Sequence, residues 1–312
     1  MENTSLNKVK IPVSPQRAAG FLVLATFIWG ATFIPVKWLV TQMPIYEMLA
    51  IRFAFASLVL IPWLYPRIVK VKEEGSLGSL FKSSLILGLL SWGGLVAQTT
   101  GMITTTATNA AFITGLNVVI VPVLMAFMGH HKPDLKAWGC IAMALMGLML
   151  FSLTADLKIN PGDILVLVCA FLFSFHIIYT TRFTRIHDPM IVAGFQFMIQ
   201  FVFFFIASLF FDSGKWVMPD ASQFTMIILL GILGTTVAMG IQAVYQRWTQ
   251  THKAALIYLM EPVFAAVLGY LILGELLNLR QWAGAIIMLG AMLLSELPLR
   301  AESPKETIPI VS

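Results

Sequence analysis

Charged residues are scarce in this sequence. Asp, Glu, Lys and Arg together make up 11% of its 312 residues, whereas soluble domains carry roughly 25%. Hydrophobic residues account for 58%, and the mean hydropathy is +0.86. A composition this apolar leaves no room for a sizeable soluble domain, and it predicts an all-α protein that crosses a lipid bilayer several times.

Cysteine is rare as well, since Cys140 and Cys169 are the only two. Both lie in apolar runs without a Cys-x-x-Cys or His-rich spacing, which argues against a disulfide framework and against a metal site. The adjacent His130 and His131 are a poor metal signature on their own. The sequence also lacks a Walker A loop, a Gly-rich dinucleotide loop and a nucleophile elbow. We therefore predict no cofactor, no ATP-driven step and no soluble-type enzyme.

Long apolar runs dominate the rest of the chain. At about 20 residues per crossing, they predict ten transmembrane helices, at about residues 18–40, 45–65, 83–102, 107–128, 136–154, 161–181, 189–211, 222–245, 252–273 and 280–299. The connectors between them are short and polar, including 66–82 and 212–221. Residues 1–17 lack the apolar core and the cleavage site of a signal peptide, so the first run is expected to be a retained helix.

Lysine and arginine are distributed unevenly over the predicted connectors. Ten is an even number of crossings, so both termini lie on one side. With a cytoplasmic N-terminus, fifteen of the twenty basic residues fall inside and three outside, while Lys37 and Arg52 lie in or at the edge of spans. Because positive charge collects on the cytoplasmic side, both termini are predicted to be cytoplasmic. The net charge of +5 then reflects topology, and no nucleic-acid partner is predicted.

The two halves of the chain resemble each other when one is shifted by 144 residues. This shift lays residues 107–119 over 251–263 and brings Trp138 onto Trp282. Five helices per half is an odd number, so the second half must enter the membrane from the opposite side. We therefore predict an inverted five-plus-five repeat of ten transmembrane helices. Its parts are a tail at 1–17, repeats at 18–154 and 161–299, and a second tail at 300–312.

Several stretches resemble one family, the bacterial EamA branch of the drug/metabolite transporter superfamily. They are FIWGATFIPVKW in the first run, IRF in the second, the Ala-Ala pairs that open the fourth and ninth runs, and YLMEPVFAAVLGYLILGELLNLRQWAGAII. The resemblance implies a secondary transporter of the bacterial inner membrane, with a central cavity between its halves. It also implies small-metabolite substrates such as amino acids, often moved outward. A homodimer is one assembly that the sequence allows.

The first half departs from that family pattern at two places. MGHHKPDLKAW stands where a Leu-Gly-Glu turn is usual, and Asn117 stands opposite Glu261. A symmetric role for these positions is therefore not implied by the resemblance.

Glu261 and Pro262 lie about ten residues into the ninth run, where a lone carboxylate is costly unless it is paired, protonated or facing water. Proline removes one amide and crowds the carbonyl four residues back, that of Tyr258. Two interpretations follow. Glu261 is either a protonatable coupling group at a distorted turn, or a structural lock that accepts hydrogen bonds from neighbouring helix ends. Because the Glu-Pro pair looks like a family-wide feature across varied substrates, the sequence favours the lock.

Polar and aromatic side chains inside the runs predict a wettable interior. The candidate cavity residues are Trp29, Thr32, Phe33, Gln98, Asn117, His176, Gln242 and Tyr258. Each of them alone is also explained by packing or by a hydrogen bond between helices. Snorkelling toward the outer interface is the plain explanation of Lys37 and, less so, of Arg52. Glu47 is a predicted partner of Arg52.

The sequence thus favours a gradient-coupled or facilitative carrier that works by alternating access and is neither ATP-driven nor an enzyme. A nucleotide-sugar or phosphate-type carrier would need more cavity cations than Lys37 and Arg52. An intramembrane enzyme would need several acids, histidines or cysteines clustered at membrane depth, and only Glu261 lies deep.

Overall fold

The computed structural model describes residues 13–73, 75–129, 134–152, 160–212, 216–273 and 278–297, and these residues form helices and no strands. The α-helices are α1 (Pro15–Leu39), α2 (Ile45–Glu73), α3 (Leu77–Thr104), α4 (Ala107–Gly115), α5 (Asn117–Phe127), α6 (Leu135–Ser152), α7 (Pro161–Ile186), α8 (Pro189–Phe211), α9 (Ala221–Leu229), α10 (Ala238–Tyr245), α11 (Thr251–Tyr258), α12 (Glu261–Leu273) and α13 (Leu279–Glu296). A π-helix, Leu230–Val237, joins α9 to α10, and a short 3₁₀ turn, Gln246–Trp248, follows α10. Residues 1–12 of the predicted tail at 1–17, the whole predicted tail at 300–312 and the His130–His131 pair lie outside the described residues.

Polar capping residues set where the helices begin. Asn160 and Asp220 open α7 and α9 with reciprocal capping boxes, in which the third residue of the helix bonds back to the cap. Asp188 caps α8 by accepting from two backbone N–H groups at 3.0 and 3.3 Å. Proline stands at the first position of α1, α7 and α8, where no helical N–H bond is lost.

Eight helical spans within the described residues are long and apolar enough to cross a membrane. Two shorter apolar helices, Leu135–Phe151 and Leu279–Ser295, accompany them. The chain is therefore a multi-pass membrane protein. The predicted connector at 66–82 was wrong in extent, because α2 continues to Glu73 and α3 already begins at Leu77. Helical backbone does not end with the apolar run, since lysine and glutamate are themselves good helix formers.

Two spans are broken near their middles. The break between α4 and α5 lies at Leu116, whose N–H bonds the carbonyl three residues back, that of Ile113, at 3.1 Å. The break between α11 and α12 has the same form, since the N–H of Met260 bonds the Ile257 carbonyl at 3.0 Å. Such 3₁₀ bonds tighten the chain locally and redirect the axis. As a result, α5 and α12 begin inside the protein, with Asn117 and Glu261 as their first residues.

The helices that contain residues of the central cavity pack closely at glycine. A Cβ on Gly30 of α1 would lie 2.9 Å from the Glu261 carbonyl oxygen and 2.8 Å from Cβ of Phe264 on α12. A Cβ on Gly231 of the π-helix would lie 2.7 Å from the Arg52 carbonyl oxygen on α2. Small residues of this kind let membrane helices approach backbone to backbone. These contacts bring α1, α2, α12 and the π-helix around one space.

Candidate functional site

A central cavity lies between the helices of the two halves. It encloses about 870 Å³, counted as all the space between the atoms of its walls and including the part that opens outward. Its lining residues are Trp29, Thr32, Phe33, Val36, Arg52, Ser91, Leu95, Gln98, Thr99, Met102, Thr114, Asn117, Phe173, His176, Ile177, Gly234, Met239, Gln242, Tyr258 and Glu261. All eight candidates from the sequence are among them, and so is Glu261; Pro262 is not.

Trp29 links two walls of this cavity. Its indole Nε1 donates to the Gly234 carbonyl oxygen at 3.0 Å, in the π-helix. Its ring packs edge-on against Tyr258 at 5.5 Å between centroids. A π-helical turn leaves carbonyls without their usual partners and is often found at functional sites. The indole therefore supplies a donor to the π-helix and an apolar face to the cavity.

Glu261 places its carboxylate on the cavity wall at the start of α12. Within the described part of the chain, no group donates a hydrogen bond to this carboxylate and no cation pairs with it. Its surroundings only remove it from water. A position in the first turn of a helix favours a negative charge, because the N-terminal N–H groups carry partial positive charge. The predicted lock, with neighbouring helix ends donating to Glu261, gains no support from this arrangement, and both interpretations stay predictions.

Arg52 is a cavity residue that the sequence indicated only weakly. Its Nε donates to Thr235 Oγ1 at 2.8 Å, and the side chain is buried against the π-helix. The terminal nitrogen Nη2 lies 3.3 Å from the place where a Cβ on Gly234 would stand, so glycine leaves room for the guanidinium. The predicted pairing of Arg52 with Glu47 was wrong. Residues five apart point to different sides of a helix, and Glu47 instead accepts from the Val217 N–H at 3.0 Å.

Amide and hydroxyl groups complete the polar lining. Gln98 Nε2 donates to Thr114 Oγ1 at 3.2 Å, which joins α3 to α4. The hydroxyl of Ser174 donates to Asn117 Oδ1 at 2.9 Å, which joins α7 to α5. These bonds satisfy the polar groups within the protein, as a membrane interior requires, and they leave the cavity walls ordered.

His176 stands between the central cavity and a second, smaller one. Its Nε2 lies 3.2 Å from Gln196 Nε2 and 3.5 Å from Gln196 Oε1, so the two side chains are in hydrogen-bond contact. The second cavity encloses about 230 Å³ on the same measure. It shares His176, Met239 and Gln242 with the central cavity and extends past Thr180 to Thr184 along α7.

The residues around the central cavity recur at a fixed spacing. Fourteen of its twenty lining residues form seven pairs whose members are 144 positions apart. The pairs are Trp29 and Phe173, Thr32 and His176, Phe33 and Ile177, Leu95 and Met239, Gln98 and Gln242, Thr114 and Tyr258, and Asn117 and Glu261. Their contacts differ, since Gln98 Nε2 donates to Thr114 Oγ1 at 3.2 Å whereas the Tyr258 hydroxyl donates to Gln246 Oε1 at 2.9 Å. Equivalent positions in the two halves thus face one space, with side chains that differ in six of the seven pairs.

Two charged residues near the ends of spans turned out to be anchored. The ammonium group of Lys37 donates to the carbonyl oxygens of Met102 and Thr105 at the end of α3, so it is hydrogen-bonded within the protein. Asp212, just after α8, accepts from the Glu47 N–H at 2.8 Å and so caps the start of α2. Burial raises the pKa of the Asp212 carboxyl above its usual value of 3.8, although two backbone N–H groups act in the opposite direction.

Comparison with known proteins places this chain in a family. The model of the EamA-like transporter family matches it twice, at residues 16–153 and 160–297. The chain belongs to this EamA-like family. A transporter from Archaeoglobus fulgidus described as uncharacterized is 30% identical over 278 residues, which covers 88% of this chain and 84% of that protein. The inner membrane transporter YedA of Escherichia coli K12, also described as uncharacterized, is 26% identical and covers 88% of this chain and 89% of YedA.

Two further likenesses extend the comparison. The S-adenosylmethionine uptake transporter of Rickettsia felis is 23% identical, covering 88% of this chain and 90% of that protein. A solved protein crystal structure superimposes with a TM-score of 0.73 at 16% identity, over 91% of this chain and 97% of the other. The crystal structure supports the fold alone. As a member of the EamA-like family, the chain is a membrane transporter of small molecules, and its relatives are named as transporters and not as enzymes.

Proposed function

We propose that this EamA-like protein is a secondary carrier that exports small metabolites, with amino acids as the leading class, from the bacterial cytoplasm by alternating access. In this proposal ten helices cross the inner membrane as an inverted repeat, with halves at 18–154 and 161–299 and both termini cytoplasmic. The substrate occupies the central cavity, against Trp29, Thr32, Phe33, Gln98, Asn117, His176, Gln242 and Tyr258. The observation that carries the proposal is the pairing of cavity residues at a spacing of 144.

Helix packing supports the inverted repeat. The contact of α3 with α7 has its counterpart in that of α10 with α1, and the contact of α3 with α8 has its counterpart in that of the π-helix with α2. The second pair agrees to within one residue. Gly88 packs on Ile199, and Gly231, 143 positions after Gly88, packs on Phe55, which stands 144 positions before Ile199. Repeats that share one packing pattern can exchange conformations, and this exchange is the basis of alternating access.

The difference between the two cavities supports alternation. On one side, Val36, Arg52 and Thr99 line the large central cavity. Their counterparts 144 positions later are Thr180, Gln196 and Ala243, and these line the small second cavity. The space beside Val36, Arg52 and Thr99 is thus wide, while the equivalent space beside Thr180, Gln196 and Ala243 is narrow. In the opposite state, the second cavity would widen along α7 and the space beside Val36 would close.

Reciprocal labelling tests this alternation. Single cysteines at Val36 and Thr180, in a background where Cys140 and Cys169 are replaced by serine, are expected to react with a small polar maleimide in opposite senses. A condition or ligand that raises labelling at one position should lower it at the other. Labelling that rises or falls together at both positions would contradict the exchange of conformations. The buried Ala254→Cys on α11 is a control that should stay unreactive throughout.

The substrate class is supported by the cavity chemistry and by a relative. The lining combines apolar rings with amide groups and one charge of each sign, which suits a small polar metabolite with an apolar part. The cargo named for the Rickettsia relative, S-adenosylmethionine, itself carries an amino acid's amino and carboxyl groups. Purified protein in proteoliposomes should therefore move one or more members of an amino-acid panel that includes S-adenosylmethionine. Comparing transport with and without an imposed pH gradient gives the coupling, and failure to move any member would contradict the proposal.

The two other classes have less support. A nucleotide-sugar or phosphate-type carrier needs several cations to hold phosphate, and among the described lining residues Arg52 is the only one that is permanently charged. An intramembrane enzyme needs clustered catalytic groups, and the described residues hold no group of three or more histidines, cysteines or acids that could bind a metal ion.

A further inference from the structure

The guanidinium of Arg52 and the carboxyl group of Glu261 line the central cavity without meeting each other. Arg52 bonds Thr235 through Nε, and no ion pair within 4 Å is formed by Arg52 or Glu261 among the described residues. Unpaired charges at membrane depth are costly and occur where they face water, a conduction path or a ligand. Removing a charged group from water costs free energy, and because these two groups do not pair, no attraction between them offsets that cost. The pair of charges therefore calls for a partner from outside the chain.

Trp29 contacts residues that neighbour both Arg52 and Glu261. Trp29 bonds Gly234, beside which the Arg52 guanidinium lies. The Trp29 ring also packs against Tyr258 at 5.5 Å between centroids, and Tyr258 stands three positions before Glu261. Arg52 and Glu261 are thus each close to a residue that Trp29 contacts, and both line the same cavity.

Neither charge is required to build the fold at its position. The counterpart of Arg52 in the other half is Gln196, and the counterpart of Glu261 is Asn117. Both counterparts are neutral amides in the equivalent helices, where Gln196 contacts His176 and Asn117 accepts from Ser174. The helices pack with an amide at these places, so what Arg52 and Glu261 add is charge. Charge that packing does not need is available for a ligand.

We propose that the cavity recognises a zwitterionic substrate by both ends: Arg52 binds its carboxylate and Glu261 binds its ammonium group. A guanidinium presents paired N–H donors that match a carboxylate. The start of α12 holds the Glu261 carboxylate where the helix end favours negative charge. With both ends engaged, the cavity and its cargo carry no unpaired charge. This assignment rests on the proposed carrier function and adds which residue holds which end.

The assignment predicts which analogues the carrier rejects. A ligand that lacks one end leaves one cavity charge unpaired, and a hydrogen bond to a charged group contributes about 1.5–3 kcal/mol. The affinity should therefore fall at least about tenfold, since about 1.4 kcal/mol is a factor of ten. For L-leucine the analogues are 3-methylbutylamine, without the carboxylate, and 4-methylpentanoate, without the amine. For L-alanine they are ethylamine and propionate.

Competition against uptake into proteoliposomes tests the prediction. In the wild-type protein, each amino acid should compete at least tenfold better than both of its analogues. Arg52→Gln should remove the advantage of the amino acid over the amine, and Glu261→Gln should remove its advantage over the acid. Both changes install the kind of side chain that the other half carries. Arg67→Gln and Glu73→Gln, on α2 but outside the cavity lining, are matched controls that should keep the wild-type order.

The outcomes separate this assignment from the carrier function. If an amino acid is transported but both of its analogues compete equally well in the wild type, the two-ended recognition is wrong and the carrier stands. The same holds if each variant weakens all three ligands equally. If neither L-leucine nor L-alanine binds or moves while another metabolite does, both the amino-acid substrate and this assignment fail. The wild-type comparison decides the matter even where a variant does not fold.

Discussion

Gly30→Ala tests the close approach of α1 to α12 that shapes the cavity. The added methyl would lie 2.8 Å from Cβ of Phe264, 2.9 Å from the Glu261 carbonyl oxygen and 3.0 Å from the Ala265 nitrogen. Comfortable separations between such atoms are about 3.5–4.0 Å, and none of the three can move without its backbone. The helices must therefore separate by several tenths of an ångström. Overpacking of this kind destabilises by about 1–3 kcal/mol.

Gly20→Ala is the matched control, because it lies on the same helix and its added methyl would meet nothing within 4 Å. Both changes gain the helix propensity of alanine, about 1 kcal/mol, so their difference isolates the clash. The free energy of unfolding in detergent is expected to be about 1–3 kcal/mol lower for Gly30→Ala than for Gly20→Ala. Transport should fall as well, since Trp29 and Glu261 flank the contact. Two variants within about 0.5 kcal/mol of each other would refute the packing argument.

The remaining predictions concern topology, the cavity, the loop after α8 and coupling. Met218→Cys should be labelled from outside intact cells and Ser76→Cys should be protected; the reverse would contradict the orientation. Single alanine changes should each lower transport while the protein stays folded, at Trp29, Gln98, His176 and Gln242. Unchanged transport in all four variants would contradict the shared cavity. Because the folded pKa of Asp212 is raised above 3.8, its ionisation reduces stability as pH rises through that range. Asp212→Asn should thus melt higher than the wild type at pH 7 and lose this advantage below about pH 4, where a constant difference would count against the shift. Glu261→Gln should abolish pH-driven accumulation but spare exchange if Glu261 carries the proton, and a pH-gradient response equal to wild type would exclude that role.

The membrane-spanning character and the positions of most helices could be predicted from the sequence, because hydrophobic run length is a strong signal. Helix ends could not be predicted from it. The α2 helix runs on through VKVKE because those residues form helices readily, and hydropathy does not report this. The breaks in the middle of the fourth and ninth runs could be predicted only in part. Pro262 indicated a distortion at the second break, whereas the first is marked only weakly, by Gly115 next to Leu116.

The candidate cavity residues were found because polar groups inside apolar runs are costly and so mark an interior. Arg52 was largely missed because its apparent depth near a helix end allowed snorkelling, and its place depends on glycines far away in the chain. Gly231 and Gly234 make room for its backbone and for its guanidinium. The repeat in the sequence does help to find cavity residues. A shift of 144 residues pairs polar positions of the two halves, and it can be applied before any contact is known.

The repeat also bears on why Glu261 precedes a proline. If Glu261 and Pro262 together locked a kink, the equivalent break in the first half should need similar residues. That half has Asn117 followed by Val118, yet it breaks at the equivalent place with the same bond from an N–H to the carbonyl three residues back. The same bond at the break thus occurs where neither a proline nor a carboxylate follows it. Because Glu261 accepts no hydrogen bond among the described residues, the comparison of pH-driven accumulation with exchange in Glu261→Gln decides between the structural lock and the coupling group.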